Sequence, residues 1–118
     1  MVGVDIVSIA RIEKSLKRFE RKFLERFLNP EEIVLCNNKL PTIAGFWALK
    51  EACSKALGVG ISKELGFLDI HISKSPRNAP LITLSKEKMN YFKIQNLSAS
   101  ISHDNGFAIA VVVATYIS

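Results

Sequence analysis

The order of segments along this chain predicts an α+β domain: one strand, then helices, then mostly antiparallel strands. Three observations carry that expectation. The opening run Val2-Gly3-Val4-Asp5-Ile6-Val7 alternates as a short strand does. Ile9, Ile12, Leu16, Phe19 and Phe23 then recur at spacings of three and four, which marks one apolar face of a helix. Near the other end, the apolar runs 97–102 and 107–116 flank His103-Asp104-Asn105-Gly106, and Asn-Gly between such runs signals a tight hairpin.

Each element has its own local cause. Ser8 is placed to cap the first helix. Arg11, Lys14, Arg18 and Lys22 form a basic row on a second face of that helix, and Lys17, Arg21 and Arg26 add to it. Asn29-Pro30-Glu31-Glu32 reads as a helix start, with a cap, proline at the first position and acids in the first turn; this short helix should end near residue 37. Pro41-Thr42 opens a longer helix expected to reach Leu57 and stop at Gly58. Ala44, Gly45, Ala48, Ala52 and Ala56 make it rich in small residues, which lets neighbouring backbones come close. After the flexible exit Gly58-Val59-Gly60, Leu68, Ile70 and Ile72 alternate with Asp69, His71 and Ser73 as a half-buried strand. Residues 75–80 turn, 81–84 return as a strand, and 85–93 suit a short helix.

The 118 residues suit a single domain spanning 1–118. With 48% hydrophobic residues, so small a domain leaves apolar surface uncovered, and self-association is one way to cover it. No apolar run approaches the roughly 18 residues of a membrane span. The N-terminus lacks the charged and apolar regions of a leader, so a cytoplasmic protein is expected. Cys36 and Cys53 lack metal-ligand spacing and read as reduced structural thiols. The formal net charge of +5 implies an anionic partner, whether nucleic acid, nucleotide or acidic protein. No Arg-Gly repeat or aromatic stacking platform accompanies the basic row, which weakens the nucleic-acid reading.

Two carboxylates interrupt apolar runs, Asp5 in the first strand and Glu51 in Phe46-Trp47-Ala48-Leu49-Lys50-Glu51-Ala52-Cys53. A buried carboxylate is costly unless paired or shared with a cation. Two carboxylates completed by phosphate oxygens are a usual site for Mg²⁺. Taken alone, Glu51 with Lys55 four residues on could be a surface ion pair, and Asp5 could serve the cap of the first helix. Ser54, Lys55 and Gly58 share the helix end with Glu51, so a carboxylate, a hydroxyl, an ammonium and open backbone lie near one another. His103, at a strand end, could contact a phosphate or hydroxyl; Asp104 and Asn105 are ordinary turn residues. His71 reads as a solvated histidine on the polar strand face.

Several stretches resemble one family in its own order. Gly3-Val4-Asp5-Ile6 with Arg11-Ile12 resembles the opening of the holo-acyl-carrier-protein synthases, the small 4′-phosphopantetheinyl transferases. Arg26-Phe27-Leu28-Asn29-Pro30-Glu31-Glu32 is similar to their intervening segment. Residues 46–58, with Lys50-Glu51-Ala52, Lys55-Ala56 and Gly58, resemble their signature helix. Ser100-Ile101-Ser102-His103-Asp104 resembles the closing motif. The chain departs from the family at Arg77-Asn78-Ala79-Pro80, where a Gly-Lys-Pro-like turn is usual, and at the large Trp47.

The resemblance implies transfer of 4′-phosphopantetheine from coenzyme A to a serine of apo-acyl carrier protein, in support of fatty acid biosynthesis. The second product is adenosine 3′,5′-bisphosphate. It implies that Asp5 and Glu51 bind Mg²⁺, with Lys55 completing the catalytic set. Ser54, Lys55, Gly58 and His103 would contact the nucleotide. Arg11, Lys14, Arg18, Arg21 and Lys22 would dock the acidic carrier protein. It also implies the family fold, a mostly antiparallel sheet on a long central helix, as a homotrimer with active sites between subunits. A water near the metal and Asp104 are both candidates to accept the serine proton.

Overall fold

The computed structural model describes residues 1–118. The element order is β1 (Val2–Ser8), α1 (Ile9–Phe19), α2 (Arg21–Phe27), α3 (Pro30–Cys36) and α4 (Leu40–Ala56), then a 3₁₀ turn (Phe67–Asp69), β2 (Ile70–Lys74), β3 (Pro80–Leu84), α5 (Lys86–Tyr91), β4 (Ile94–Asp104) and β5 (Phe107–Tyr116). The strands form a three-stranded sheet in the order β1-β5-β4 and a separate hairpin, β2-β3. Every pairing is antiparallel. The α+β expectation therefore holds, with two sheets rather than one.

The three-stranded sheet leans on α4, and small residues set how closely. β5 turns Ala108, Ala110, Val112 and Ala114 inward, and all are buried. They meet a helix buried on nearly every side, as expected for one lacking a polar stripe. The tightest approach is at Gly3, where a Cβ would stand 1.9 Å from the Ala52 carbonyl oxygen and 2.5 Å from the Ala56 nitrogen. Only a hydrogen fits there, so the backbone of β1 lies directly on the last turns of α4.

Local chemistry ends the elements where the sequence suggests. The Ser8 hydroxyl accepts from the Arg11 N–H at 3.3 Å. Asn29 and Glu32 exchange side-chain and backbone hydrogen bonds at 2.8 Å each, a full capping box at the start of α3. Asn105 and Gly106 have φ of 50° and 84°, the two positive values a type I′ turn requires.

Two expectations need correction. The apolar period from Ile9 to Phe23 is not one helix: the chain breaks at Glu20, with φ 55° and ψ −138°. The break re-aims α2, so that Phe23 stacks on Trp47 with ring centroids 5.8 Å apart and Phe27 meets it edge-on at 5.0 Å. Leu68 is not a strand residue. It sits in the 3₁₀ turn, exposed, because the Asp69 carboxylate accepts the Gly66 N–H at 2.8 Å and curls the chain before β2.

A buried polar hub ties the helices to the hairpin. Lys50 and Glu32 are both fully buried, and the Lys50 ammonium donates to Glu32 at 2.8 Å and to the Phe67 carbonyl at 3.1 Å. The other Glu32 oxygen accepts the Ile72 N–H at 2.7 Å. Burial pulls the Lys50 pKa below the usual lysine range, against the upward pull of Glu32. Cys36 and Cys53 are free and buried, their thiols pushed up to about 12 chiefly by desolvation.

The opposite face of the three-stranded sheet is apolar and open. Val2, Val4 and Ile6 of β1 and Phe107, Ile109 and Val113 of β5 are all exposed there. The matching row on β4, Ser98, Ser100 and Ser102, is polar and also exposed.

Candidate active site

The strand alternation that buries Gly3 and Val7 turns Asp5 toward α4 as well. Its carboxylate meets the helix near its C-terminal end, where the Lys55 ammonium donates to Asp5 Oδ1 at 2.8 Å. The Asp5 side chain is 13% exposed and that of Lys55 50%. Glu51 lies one helical turn before Lys55, half-buried. Desolvation pushes the Glu51 pKa above its ordinary value, and the Asp5 charge pushes it further in the same direction. Lys55 and Arg11 oppose that rise. The hydrogen bond to Asp5 in turn raises the Lys55 pKa. Strand and helix thus bring two carboxylates and two cations to one place.

This donor set fits a hard divalent ion. Both acids offer oxygen ligands, and their mutual repulsion is what a cation between them would relieve. The protein has no cluster of three or more His, Cys, Asp or Glu side chains able to hold a metal. A site resting on two carboxylates leaves the remaining positions to water and phosphate oxygens, as Mg²⁺ sites do.

The other expected site residues divide. The Ser54 side chain is buried and its hydroxyl donates to the Glu51 carbonyl at 2.7 Å, so it is spent inside the helix rather than turned outward. Gly58 stands just past the helix with φ 76° and open space where a side chain would be, three residues after the exposed Lys55. His103 is elsewhere. It lines a hollow of about 270 Å³ with Pro41, Thr42, Gly45, Lys74 and Pro80, at the opposite end of α4. At 1.5 Å per residue, Gly45 and Lys55 are about 15 Å apart along the helix axis. One chain therefore does not bring His103 to the acid pair.

Arg11, Lys14 and Arg18 are exposed along α1, and Arg21 and Lys22 continue the row on α2. Around the break, Arg18, Phe19, Glu20, Arg21 and Lys22 line a shallow hollow of about 360 Å³. A second hollow, of about 310 Å³, is lined by Phe23, Arg26, Trp47 and Phe67. The sequence reading missed this aromatic hollow, and Lys74 beside His103. Neither has a local signal: the aromatics come from three separate elements, and Lys74 resembles any lysine at a strand end.

Comparison with known proteins adds to this geometry. The profile of the 4′-phosphopantetheinyl transferase superfamily matches residues 1–112. The holo-[acyl-carrier-protein] synthase of Helicobacter pylori (strain P12) is 78% identical over 115 residues, covering 98% of each chain. That of Campylobacter jejuni is 54% identical over 111 residues, 94% of this chain and 96% of its own. Among solved structures, H. pylori holo-[acyl-carrier-protein] synthase in complex with coenzyme A superposes with a TM-score of 0.96 at 78% identity, covering 98% of this chain and all of that one (100%). A Bacillus anthracis holo-(acyl-carrier-protein) synthase in complex with CoA (3′,5′-ADP) superposes with a TM-score of 0.81 at 37% identity, over 96% and 93% of the two chains.

Proposed function

We propose, since the chain belongs to the 4′-phosphopantetheinyl transferase superfamily, that it transfers 4′-phosphopantetheine from coenzyme A to a serine of apo-acyl carrier protein. It is an enzyme of the synthase type, and the whole of residues 1–118 serves as one transferase domain. The observation that carries the reading is the convergence of Asp5, Glu51 and Lys55 where β1 rests on α4.

In the reaction, the serine oxygen forms a bond to the phosphorus that carries the pantetheine arm. The bond from that phosphorus to the leaving adenosine 3′,5′-bisphosphate breaks, and the serine proton passes to an acceptor. Asp5 and Glu51 would hold a magnesium ion, which when bound supplies neutralisation of the diphosphate charge and a template for in-line attack. Lys55 does two things. It fixes the Asp5 carboxylate by the 2.8 Å hydrogen bond, and its exposed ammonium offers a positive charge to phosphate oxygens. The left-handed backbone at Gly58 leaves room beside it for the nucleotide.

The hollow holding His103 and Lys74 suits a further phosphate, but its distance along α4 from the acid pair means another copy must supply it to any one active site. A homotrimer, with sites between subunits, satisfies that need and covers the apolar outer face of β1 and β5. The row Arg11, Lys14, Arg18, Arg21 and Lys22, beside the aromatic hollow, is the surface for the acidic carrier protein. The reaction belongs in the cytoplasm, where both buried thiols stay reduced, and its product supports fatty acid synthesis.

The test is direct. The protein is incubated with coenzyme A, Mg²⁺ and apo-carrier protein, and intact mass is measured. A gain of one phosphopantetheine on the carrier, which does not occur when Mg²⁺ is chelated beforehand, is the expected result; an unchanged carrier mass with Mg²⁺ present defeats the reading.

A further inference from the structure

Glu20 stands where its backbone does not favour it. Its φ of 55° and ψ of −138° belong to the region that glycine occupies readily and other residues rarely. The conformation is fixed from both sides: the Glu20 N–H donates to the Leu16 carbonyl at 2.8 Å, and its own carbonyl accepts the Phe23 N–H at 3.0 Å. Glycine would make the same turn without strain. Glu20 also lines the hollow that Arg18, Arg21 and Lys22 share. The ion pairs of the structure are Arg21–Glu25, Lys50–Glu32 and Lys55–Asp5, so Glu20 makes no close ion pair with any of the three cations beside it. It closes no ion pair and strains the chain, yet it puts one negative charge in the middle of the basic row.

We infer that Glu20 is a specificity-determining residue of the basic docking face, whose carboxylate disfavours nucleic acid relative to an acidic protein partner. The inference rests on the reading of that face as the carrier-protein site. Its logic is charge spacing. A nucleic-acid backbone presents a dense, continuous line of phosphates, and one crossing from Arg18 to Arg21 and Lys22 must pass the Glu20 carboxylate. An acidic helix presents separate carboxylates on flexible stems, which can meet the arginines and lysines and leave a gap at Glu20. A chain of net charge +5 gathers nucleic acid non-specifically unless something opposes it. A repulsive element inside an attractive surface is how specificity against such a competitor is built.

The experiment compares wild type, Glu20→Gln, Glu20→Gly and Arg18→Glu in two titrations: a short DNA duplex across a salt series, and transfer kinetics with apo-carrier protein. Glu20→Gln should tighten duplex binding about threefold or more at low salt and steepen the logarithmic salt slope by up to about one unit. The preference for carrier protein over duplex should narrow accordingly. Glu20→Gly should show the same duplex gain and also melt about 3–6 °C above Glu20→Gln, because the backbone is relieved. Arg18→Glu should raise the carrier-protein KM. If Arg18→Glu raises that KM while Glu20→Gln leaves duplex binding and its salt slope unaltered, the role of Glu20 is overturned and the docking reading survives. If Arg18→Glu leaves the KM untouched, the docking reading itself falls. If Glu20→Gly melts no higher than Glu20→Gln, the residue is not held against its preference and the inference loses its premise.

Discussion

At the scale of the residue, the proposed metal role of Glu51 is testable through its environment. Glu51→Gln keeps the shape of the side chain but removes an anionic oxygen donor. It should lower Mg²⁺-dependent transfer by about 100-fold or more while circular dichroism and melting temperature stay close to wild type. Full activity in that variant ends the metal assignment. The raised pKa of Glu51 gives a second handle. In the window just above its ordinary value of 4.5, folded Glu51 keeps a proton that the unfolded chain has lost. Stability should therefore fall as pH rises through that window, and the cost is fully present above it. Mg²⁺ competes with the same proton, so its apparent affinity should climb with pH across the window. Isothermal titration at several pH values reads this slope, and Glu51→Gln should flatten it. Arg11 also acts on Glu51, so Arg18→Glu separates docking from metal binding more cleanly than Arg11→Glu does.

At the scale of the element, the site depends on how β1 seats on α4. Gly3→Ala would drive a methyl into the Ala52 carbonyl. The strand must lift, which should cost about 1–3 kcal/mol in urea unfolding and pull Asp5 away from Lys55. Loss of activity should exceed what the lost stability explains; wild-type activity with wild-type stability would mean the contact does not position Asp5. The Lys50–Glu32 hub makes a separate prediction. Lys50→Met leaves the Glu32 charge buried without its cation, and should cost about 3–5 kcal/mol. Adding Glu32→Gln should recover part of that loss, because the stranded charge goes with it; strict additivity of the two changes in denaturant unfolding would show that the pair is not coupled.

At the scale of the whole molecule, the proposed shared site can be tested through the sheet face that a homotrimer would cover. The acid pair is at one end of α4 and the His103 hollow at the other, with an uncovered apolar sheet face between strands β1 and β5. Val4 sits on that face, more than half exposed. Val4→Glu should convert the assembly to monomers by sedimentation analysis, leave the α+β fold intact by circular dichroism, and abolish transfer. A monomeric variant with full activity would sink the shared site.

What the sequence determined by itself is the local chemistry: the strand and helix periods, the caps at Ser8 and Asn29, the Asn105-Gly106 turn and the acids that apolar neighbours made conspicuous. These are legible because side-chain partition and turn geometry act over a few residues. The resemblance of short motifs then pointed to the family, since those motifs match it in its own order along the chain. Only the tertiary structure decided which distant groups meet. Asp5 reaches Lys55 across fifty positions because Gly3 has no side chain to hold the strand off the helix. Lys50 turned out to be a buried partner of Glu32 although neither residue looks unusual in its own window. The break at Glu20 was invisible because the apolar period runs straight through it, and the packing of Phe23 and Phe27 against Trp47 outweighs the local preference of the backbone. Long-range contacts are chosen by the sum of packing over the whole core, and no short stretch of sequence records that sum.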